Sequence, residues 1–82
     1  MDIGQSFSYF DQAIKSNPHY LANSVFLADF YHQKAGNREQ FNKILKGVLN
    51  TNLTTHPEVM NDNWFYKKKA QKLLENESSL FE

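Results

Sequence analysis

The sequence predicts an all-α protein of about four helices, paired as antiparallel hairpins like those of tetratricopeptide repeats (TPR). Three observations predict this class. Apolar residues recur at three- and four-residue spacings along much of the 82-residue chain. The chain has only three Gly and two Pro, so helix breakers are few. The predicted connections are about three to six residues long, which suits antiparallel neighbouring helices.

The first predicted helix ends at Asn17. Its apolar residues are spaced by four, three and four positions, which places them on one helical face. They are Ile3, Phe7, Phe10 and Ile14. Asn17 is the predicted N-cap of the next helix, and Pro18 its first residue, where a proline loses no hydrogen bond.

The second predicted helix runs from about Pro18 to Lys34 and is apolar around much of its circumference. Three stripes cover it: Leu21, Val25 and Ala28; Phe26 and Phe30; Leu27 and Tyr31. A helix of this kind is normally enclosed by its neighbours. Gly36 is the predicted left-handed C-cap, because it has no Cβ to clash at positive φ.

The third predicted helix opens at Asn37, with Gln40 as its capping-box partner. Its apolar residues have a regular three-four spacing and therefore share one face. They are Phe41, Ile44, Leu45, Val48 and Leu49.

The fourth predicted helix runs to about Glu75. Thr55 and Glu58 before it have capping-box spacing, and Pro57 lies in the first turn. Its apolar residues form two stripes. These are Met60 with Trp64, and Tyr66 with Ala70, Leu73 and Leu74.

The whole chain, 1–82, is expected to be one TPR-like domain, because a chain this short has a single core. Residues 1–17 are interpreted as the end of a truncated repeat, 18–52 as a helical pair, and 55–82 as a C-terminal capping helix with a tail. The apolar pair Leu80-Phe81 near the end of the tail is expected to dock onto the helices.

The order of several short motifs supports this interpretation. TPR units have a period of about 34 residues and two antiparallel helices. Phe10, Ala13 and Pro18 have the spacing at which one such repeat ends. Ala28 and Tyr31 match the first helix of the next repeat. A second helix with Phe41 and Leu45 would complete that repeat.

The same motifs resemble the TRAP-transporter T-component (TatT) family over about residues 7–82. The family pattern is Phe-x-x-Ala-Ile, Asn-Pro, Ala-x-x-Tyr, a short turn with an acidic residue, Phe-x-x-x-Leu and Val-Leu. It continues with Pro-Glu, an Asn, a basic stretch, Ala, Leu-Leu and Leu-Phe. The matching residues are Phe10, Ala13, Ile14, Asn17, Pro18, Ala28, Tyr31, Glu39, Phe41, Leu45, Val48, Leu49, Pro57, Glu58, Asn63, Lys67, Lys68, Lys69, Ala70, Leu73, Leu74, Leu80 and Phe81. Asn61 and Tyr66 depart from the family preference for Leu and for a small residue.

The resemblance implies a bacterial, periplasmic helical-repeat protein, often a lipoprotein. It also implies a homotrimer that works with the substrate-binding protein of a TRAP solute-uptake system. Family members are several times longer, so the chain is expected to correspond to their C-terminal portion, a fragment of an α-solenoid. Its first ten residues lack a basic segment followed by an apolar one, so no secretory signal is expected there.

Composition argues against several function classes. Nine basic and nine acidic residues give a formal net charge of +0, without the basic surplus of a general nucleic-acid binder. No apolar run approaches the roughly 18 residues that a membrane span requires. The absence of cysteine excludes thiolate chemistry. Since no nucleophile–base pair, phosphate loop or carboxylate dyad is present, we expect no enzyme, no catalytic residue and no cofactor.

The three histidines do not predict a metal site. His19, His32 and His56 lack the i, i+4 spacing with a glutamate that a helical zinc site uses. Surface or capping roles are therefore expected for all three.

Four residues are candidates for a partner- or ligand-binding surface: Asp29, Tyr31, Trp64 and Phe65. Asp29 is either a groove carboxylate or a residue at the solvent edge, the commoner case because ionised carboxylates avoid burial. Trp64, Phe65 and Tyr66 lie about 100° apart in turn, so at least one is expected to be exposed. The exposed ring would contact a partner or pack on the docked tail.

A basic cluster lies beside these rings. It consists of Lys67, Lys68, Lys69 and Lys72. Basic and aromatic residues together can bind single-stranded nucleic acid or anionic lipid. However, consecutive lysines diverge by about 100°, and cations in the last turns complement the helix dipole. A solvated face is therefore favoured, and no nucleic-acid partner is expected.

Three functional hypotheses follow. The first is a non-enzymatic component of solute uptake that binds a partner protein or a small ligand. The second is a generic TPR-like adaptor that binds a peptide in its groove. The third is a short form without independent activity. Because solenoid repeats need covered ends, the face with Phe7 and Phe10 is expected to be incompletely covered in a monomer.

Overall fold

The computed structural model describes residues 3–82, except for the side chains of residues 3 and 6. Its elements are α1 (Ile3–Ser16), α2 (Leu21–Phe26), a π-helical segment (Leu27–His32), α3 (Gln33–Ala35), α4 (Arg38–Leu49), α5 (Met60–Glu75) and α6 (Glu77–Leu80). Two 3₁₀ turns, Leu53–Thr55 and Pro57–Val59, connect α4 to α5. The prediction of an all-α fold is confirmed, since residues 3–82 contain no strand.

Residues 21–35 form one continuous helical segment, because α2, the π-helical segment and α3 follow without a break. This second helical segment packs against α1, α4 and α5, and α5 also packs against α4. Residues 3–82 therefore form four main helical segments, as the periodicity predicts, and the short α6, which was not predicted.

The core lies between the second helical segment, α4 and α5. Its buried residues are Leu21, Val25, Ala28, Phe41, Leu45, Val48 and Ala70. The predicted apolar face of α4 is confirmed, since its other members, Ile44 and Leu49, pack against this cluster. The α1 face is less enclosed: Phe10 and Ile14 are half-buried and Phe7 is exposed. The predicted place of the Ile3 side chain lies outside the described residues.

The second helical segment begins at Leu21 and not at Pro18, so the predicted cap was wrong. Residues 17–20 instead form a turn, in which the Tyr20 N–H donates to the Asn17 carbonyl (3.2 Å). The Leu21 N–H donates to Oδ1 of Asn63, 42 residues further on (2.9 Å). The first N–H of the second helical segment is therefore satisfied by a side chain of α5 and not by the predicted local cap, Asn17.

The end of this segment follows the prediction. Gly36 is left-handed, with φ 75° and ψ 18°. The Gly36 N–H donates to the Gln33 carbonyl (3.3 Å), and the Asn37 N–H donates to the His32 carbonyl (2.8 Å). This pair of bonds is the Schellman motif, so the predicted glycine C-cap is confirmed.

The capping box predicted at Asn37 and Gln40 does not form. The Asn37 side chain accepts no backbone N–H of α4, and its Nδ2 lies 3.2 Å from Nδ1 of His32. His32 is buried and not on the surface as expected, and this burial lowers its pKa. The neutral imidazole can therefore accept the Asn37 amide, which diverts that side chain from capping.

The capping box predicted at Thr55 and Glu58 is also wrong. The 3₁₀ turn Pro57–Val59 separates Thr55 from α5, which begins only at Met60. The side-chain cap in this connection is instead Asn52, whose Oδ1 accepts from the Thr54 N–H (2.9 Å).

The C-terminal tail docks onto the core as predicted. Leu80 and Phe81 pack against the buried cluster, and the Phe81 ring meets that of Phe41 edge to face at 5.0 Å. Glu77 holds α6 to α4 through hydrogen bonds from Arg38 Nε (2.9 Å) and Asn42 Nδ2 (2.7 Å). In the described part of the chain, none of the helices has the length and apolarity needed to cross a membrane.

Candidate functional site

Six aromatic side chains form a connected surface across α1, the second helical segment and α5. We call it the aromatic face, and its members are Tyr9, Phe10, Phe26, Phe30, Phe65 and Tyr66. Successive ring centroids lie between 5.1 and 6.2 Å apart, from Tyr9–Phe10 to Phe65–Tyr66. Such separations are typical of interacting aromatic pairs.

Helical spacing places these rings side by side. Phe26 and Phe30 are four residues apart, so they lie on one side of their helical segment, and Phe10 of α1 contacts both. On α5, Tyr66 turns inward and packs against the core, whereas Phe65 turns outward. Tyr66 therefore joins the exposed Phe65 to Phe26.

The outer members of the aromatic face are exposed to solvent. Tyr9 is 59% exposed, Phe30 43% and Phe65 58%. Large apolar side chains exposed together are a recognised property of interaction surfaces. The face is therefore suited to contact another molecule.

Tyr20 supports the α5 side of this face. Its ring meets Tyr66 edge to face at 6.1 Å. Burial raises the pKa of Tyr20, and the neighbouring Tyr66 and Asp62 add to the effect. The Tyr20 phenol is therefore harder to ionise than a free tyrosine and presents a neutral ring to Tyr66.

The three consecutive lysines of α5 contact three different neighbours. Lys67 Nζ donates to the Thr51 carbonyl (2.9 Å). Lys68 Nζ lies 4.3 Å from the Trp64 ring, and Lys69 Nζ lies 5.7 Å from the Phe26 ring. The three ammonium groups therefore lie at three different places, as their spacing predicts, although Lys68 and Lys69 border one cavity beside Phe65.

The structure separates the four predicted binding residues into two places. Trp64 and Phe65 are 56% and 58% exposed on adjacent sides of α5, which confirms that at least one ring of this trio is exposed. Asp29 and Tyr31 are half-buried on the π-helical segment, where Tyr31 contacts Phe7 (5.0 Å).

No hydrogen bond or ring contact among the described residues joins Asp29 or Tyr31 to Trp64 or Phe65. The binding role of all four remains a prediction. The rings that connect Phe65 to α1 were not among the candidates. The sequence signal that could have identified these rings is the i, i+4 spacing of Phe26 and Phe30.

Two histidines from different connections contact each other. His19 lies in the turn before α2, and His56 lies between the two 3₁₀ turns before α5. The rings of His19 and His56 stack with their centroids 3.5 Å apart, and His56 Nδ1 lies 3.5 Å from a Glu58 carboxylate oxygen. The in-plane lone pairs of stacked imidazoles run parallel and do not converge on one ion. Over the residues that the structure describes, no three His, Cys, Asp or Glu side chains are grouped to hold a metal.

Comparison with known proteins identifies a family. A protein-family model described as TRAP transporter T-component matches residues 2–81. No curated protein and no solved structure matches the chain significantly.

Proposed function

Because the chain belongs to the TRAP transporter T-component family, we propose that it is a non-enzymatic, TPR-like component that binds a partner protein or a small ligand in solute uptake. The family is associated with transporters and is not a known enzyme family. The resemblance in motif order points to the substrate-binding protein of the same uptake system as the partner.

The aromatic face is the observation that carries this proposal. It joins three helical elements through ring contacts, so its shape is set by the packing of the fold. Aromatic anchors contribute much of the binding energy in protein interfaces. Its exposed rings favour a protein partner over a small ligand, because small-ligand sites usually enclose most of their ligand.

Isothermal titration calorimetry tests the proposal directly. The 82-residue chain is titrated with the purified substrate-binding protein of the TRAP system from the same organism. Saturable binding is expected, and Phe30→Ala and Phe65→Ala should each weaken it by about tenfold or more, the loss of an interface anchor. Met60→Ala is the control, since Met60 is an exposed apolar residue of the same helix that lies outside the aromatic face and is not a predicted binding residue.

Two results would count against the proposal. Absence of binding to the substrate-binding protein, with circular dichroism showing a folded chain, would remove the transport partner. Binding of short peptides in its place would support the adaptor hypothesis. Equal losses in Phe65→Ala and Met60→Ala would show that the aromatic face is not the interface.

A further inference from the structure

Four residues on one side of α5 form a pattern that is easily missed in the sequence, because the lysines there are consecutive. Phe65, Lys68, Lys69 and Lys72 follow the i, i+3, i+4, i+7 pattern and so share one side of the helix. Together they line a cavity of about 280 Å³. We call Lys68, Lys69 and Lys72 the lysine stripe.

No carboxylate of the described residues pairs with the lysine stripe. The ion pairs join Lys15 to Asp11 and Arg38 to Glu77, and His56 lies near Glu58, a pair that is ionic only when the histidine is protonated. Lysines three and four positions apart on a helix repel one another. Because the net charge of the whole chain is +0, this is a local surplus.

Two exposed aromatic rings lie next to the lysine stripe. Phe65 lies at its N-terminal end and is open to solvent. Trp64 lies beside Lys68 and lines a second cavity, of about 560 Å³, with Leu49, Leu53 and Lys67 among its other walls. Ammonium groups and apolar contact area are therefore presented together.

We propose that this side of α5 docks an acidic segment of a partner protein, with its carboxylates at the lysine stripe and one apolar side chain on Phe65. The inference deepens the proposed function and rests on it for the class of partner, a protein. Lys68 and Lys72 are one helical turn apart, about 6 Å along the axis, which matches carboxylates distributed along a peptide. The smaller cavity is near the lower limit for a small-molecule site and has room for one side chain.

The single Trp of the chain gives a direct readout, because Trp64 borders the stripe. The probes are short peptides without Trp, in which Asp and Glu surround one Leu. Matched peptides replace the acids by Asn and Gln, replace the acids by Lys, or replace the Leu by Ser. Only the acidic, Leu-containing peptide should change Trp64 fluorescence saturably, and salt at about 0.3 M should weaken its binding severalfold by screening.

Substitutions in the 82-residue chain locate the effect. Lys68→Gln, Lys69→Gln and Lys72→Gln should each weaken binding of the acidic peptide by about two- to fivefold, the usual value of an exposed ion pair. Lys43→Gln is the control, an exposed lysine of α4 that should leave binding unchanged. Circular dichroism checks that each variant is folded.

Several outcomes would overturn the inference. They are equal binding of neutral or basic peptides, no response to the acidic peptide, or a response only to inorganic phosphate or to phosphatidylglycerol vesicles. A different result would refute the proposed function. Acidic-peptide binding through the stripe with no binding of the substrate-binding protein would refute that function alone. Undiminished binding of the substrate-binding protein by a variant lacking all three stripe lysines would refute this inference alone.

Discussion

Asn63 links two segments that lie far apart in the sequence. Its side chain is 2% exposed; Oδ1 accepts from the Leu21 N–H (2.9 Å), and Nδ2 donates to the His19 carbonyl (2.8 Å). The N-cap residue of α2, Tyr20, makes no side-chain cap of its own. One amide therefore satisfies a donor and an acceptor at the start of the second helical segment and holds α5 against it.

Replacement of Asn63 by Ala should lower the free energy of unfolding by about 1–3 kcal/mol, because the buried Leu21 N–H would lose its acceptor. Urea denaturation followed by circular dichroism measures the change. Asn61→Ala is the control: Asn61 is exposed on the same helix and should tolerate the change within about 0.5 kcal/mol. Similar losses in both variants would contradict the role assigned to Asn63.

Gly36 and Gly47 show how the end of a helix differs from its interior. Gly36 has φ 75° in the Schellman motif, whereas Gly47 lies within α4. Beyond the adjoining residues and the backbone of its own helix, an added Cβ at either position would have no heavy atom within 4 Å. Their substitutions should therefore differ through backbone conformation alone.

Gly36→Ala should destabilise the protein by about 1–2 kcal/mol, since an L-residue with a Cβ resists the left-handed conformation. Gly47→Ala should stabilise it by about 0.5–1 kcal/mol, because Ala loses less entropy than Gly in a helix. Thermal unfolding of the two variants against the parent chain measures both. A stable Gly36→Ala variant would indicate that the Schellman motif does not limit stability.

The tail helix α6 depends on a charged side chain. The hydrogen bond from Asn42, then that from Arg38, lowers the pKa of Glu77, although its partial burial opposes them. The folded state therefore prefers the carboxylate. Its contribution to stability is present above the ordinary pKa of Glu and is lost as the pH falls through the lower folded-state pKa.

Glu77→Gln should reduce the loss of stability on acidification between neutral pH and about pH 3. Denaturation midpoints measured across that range give the comparison. Glu82→Gln, an exposed carboxylate of the same tail, should keep the acid dependence of the parent chain. Parallel curves for the parent and Glu77→Gln would show that another group sets this dependence.

At the scale of the whole molecule, α1 covers one side of the second helical segment but remains open on its own outer side. Among the α1 side chains that the structure describes, none is buried. Phe7 and Tyr9 are both exposed, at 40% and 59%. This distribution agrees with the incomplete cover expected for an outer repeat of a solenoid.

The parent chain should therefore bind a dye that detects apolar surface, and its apparent size should increase with concentration. The double variant Phe7→Ser with Tyr9→Ser should bind less dye and stay monomeric over a wider range, because it removes apolar area. Dye fluorescence and size-exclusion chromatography check both. A parent chain that is monomeric at high concentration and binds no dye would contradict this expectation.

The sequence predicted the features that depend on local spacing. The apolar periodicity of α4 identified the buried Phe41, Leu45 and Val48, and Gly36 marked a C-cap, because both signals lie within one helix. The docking of the tail was expected from the apolar pair Leu80-Phe81, and both residues pack against the buried cluster.

Features that depend on packing were not predicted. The acceptor for Leu21 comes from Asn63, and the Asn37 amide is diverted by His32, so local capping rules failed at both places. The aromatic face also requires three elements to meet. The sequence could indicate that Phe65 is exposed, but its connection through Tyr66 to Phe26 arises only in the folded chain.

The hydrogen bonds of Asn63 also imply an order of events in folding. The Leu21 amide finds its acceptor only after α5 has docked, which closes a loop of 42 residues. Closing such a loop is slower than extending a single helix, so the first turn of the second helical segment should be among the last parts to become protected. Its amide proton should then exchange with solvent whenever α5 detaches, and one peptide group would monitor the opening of the interface between α2 and α5.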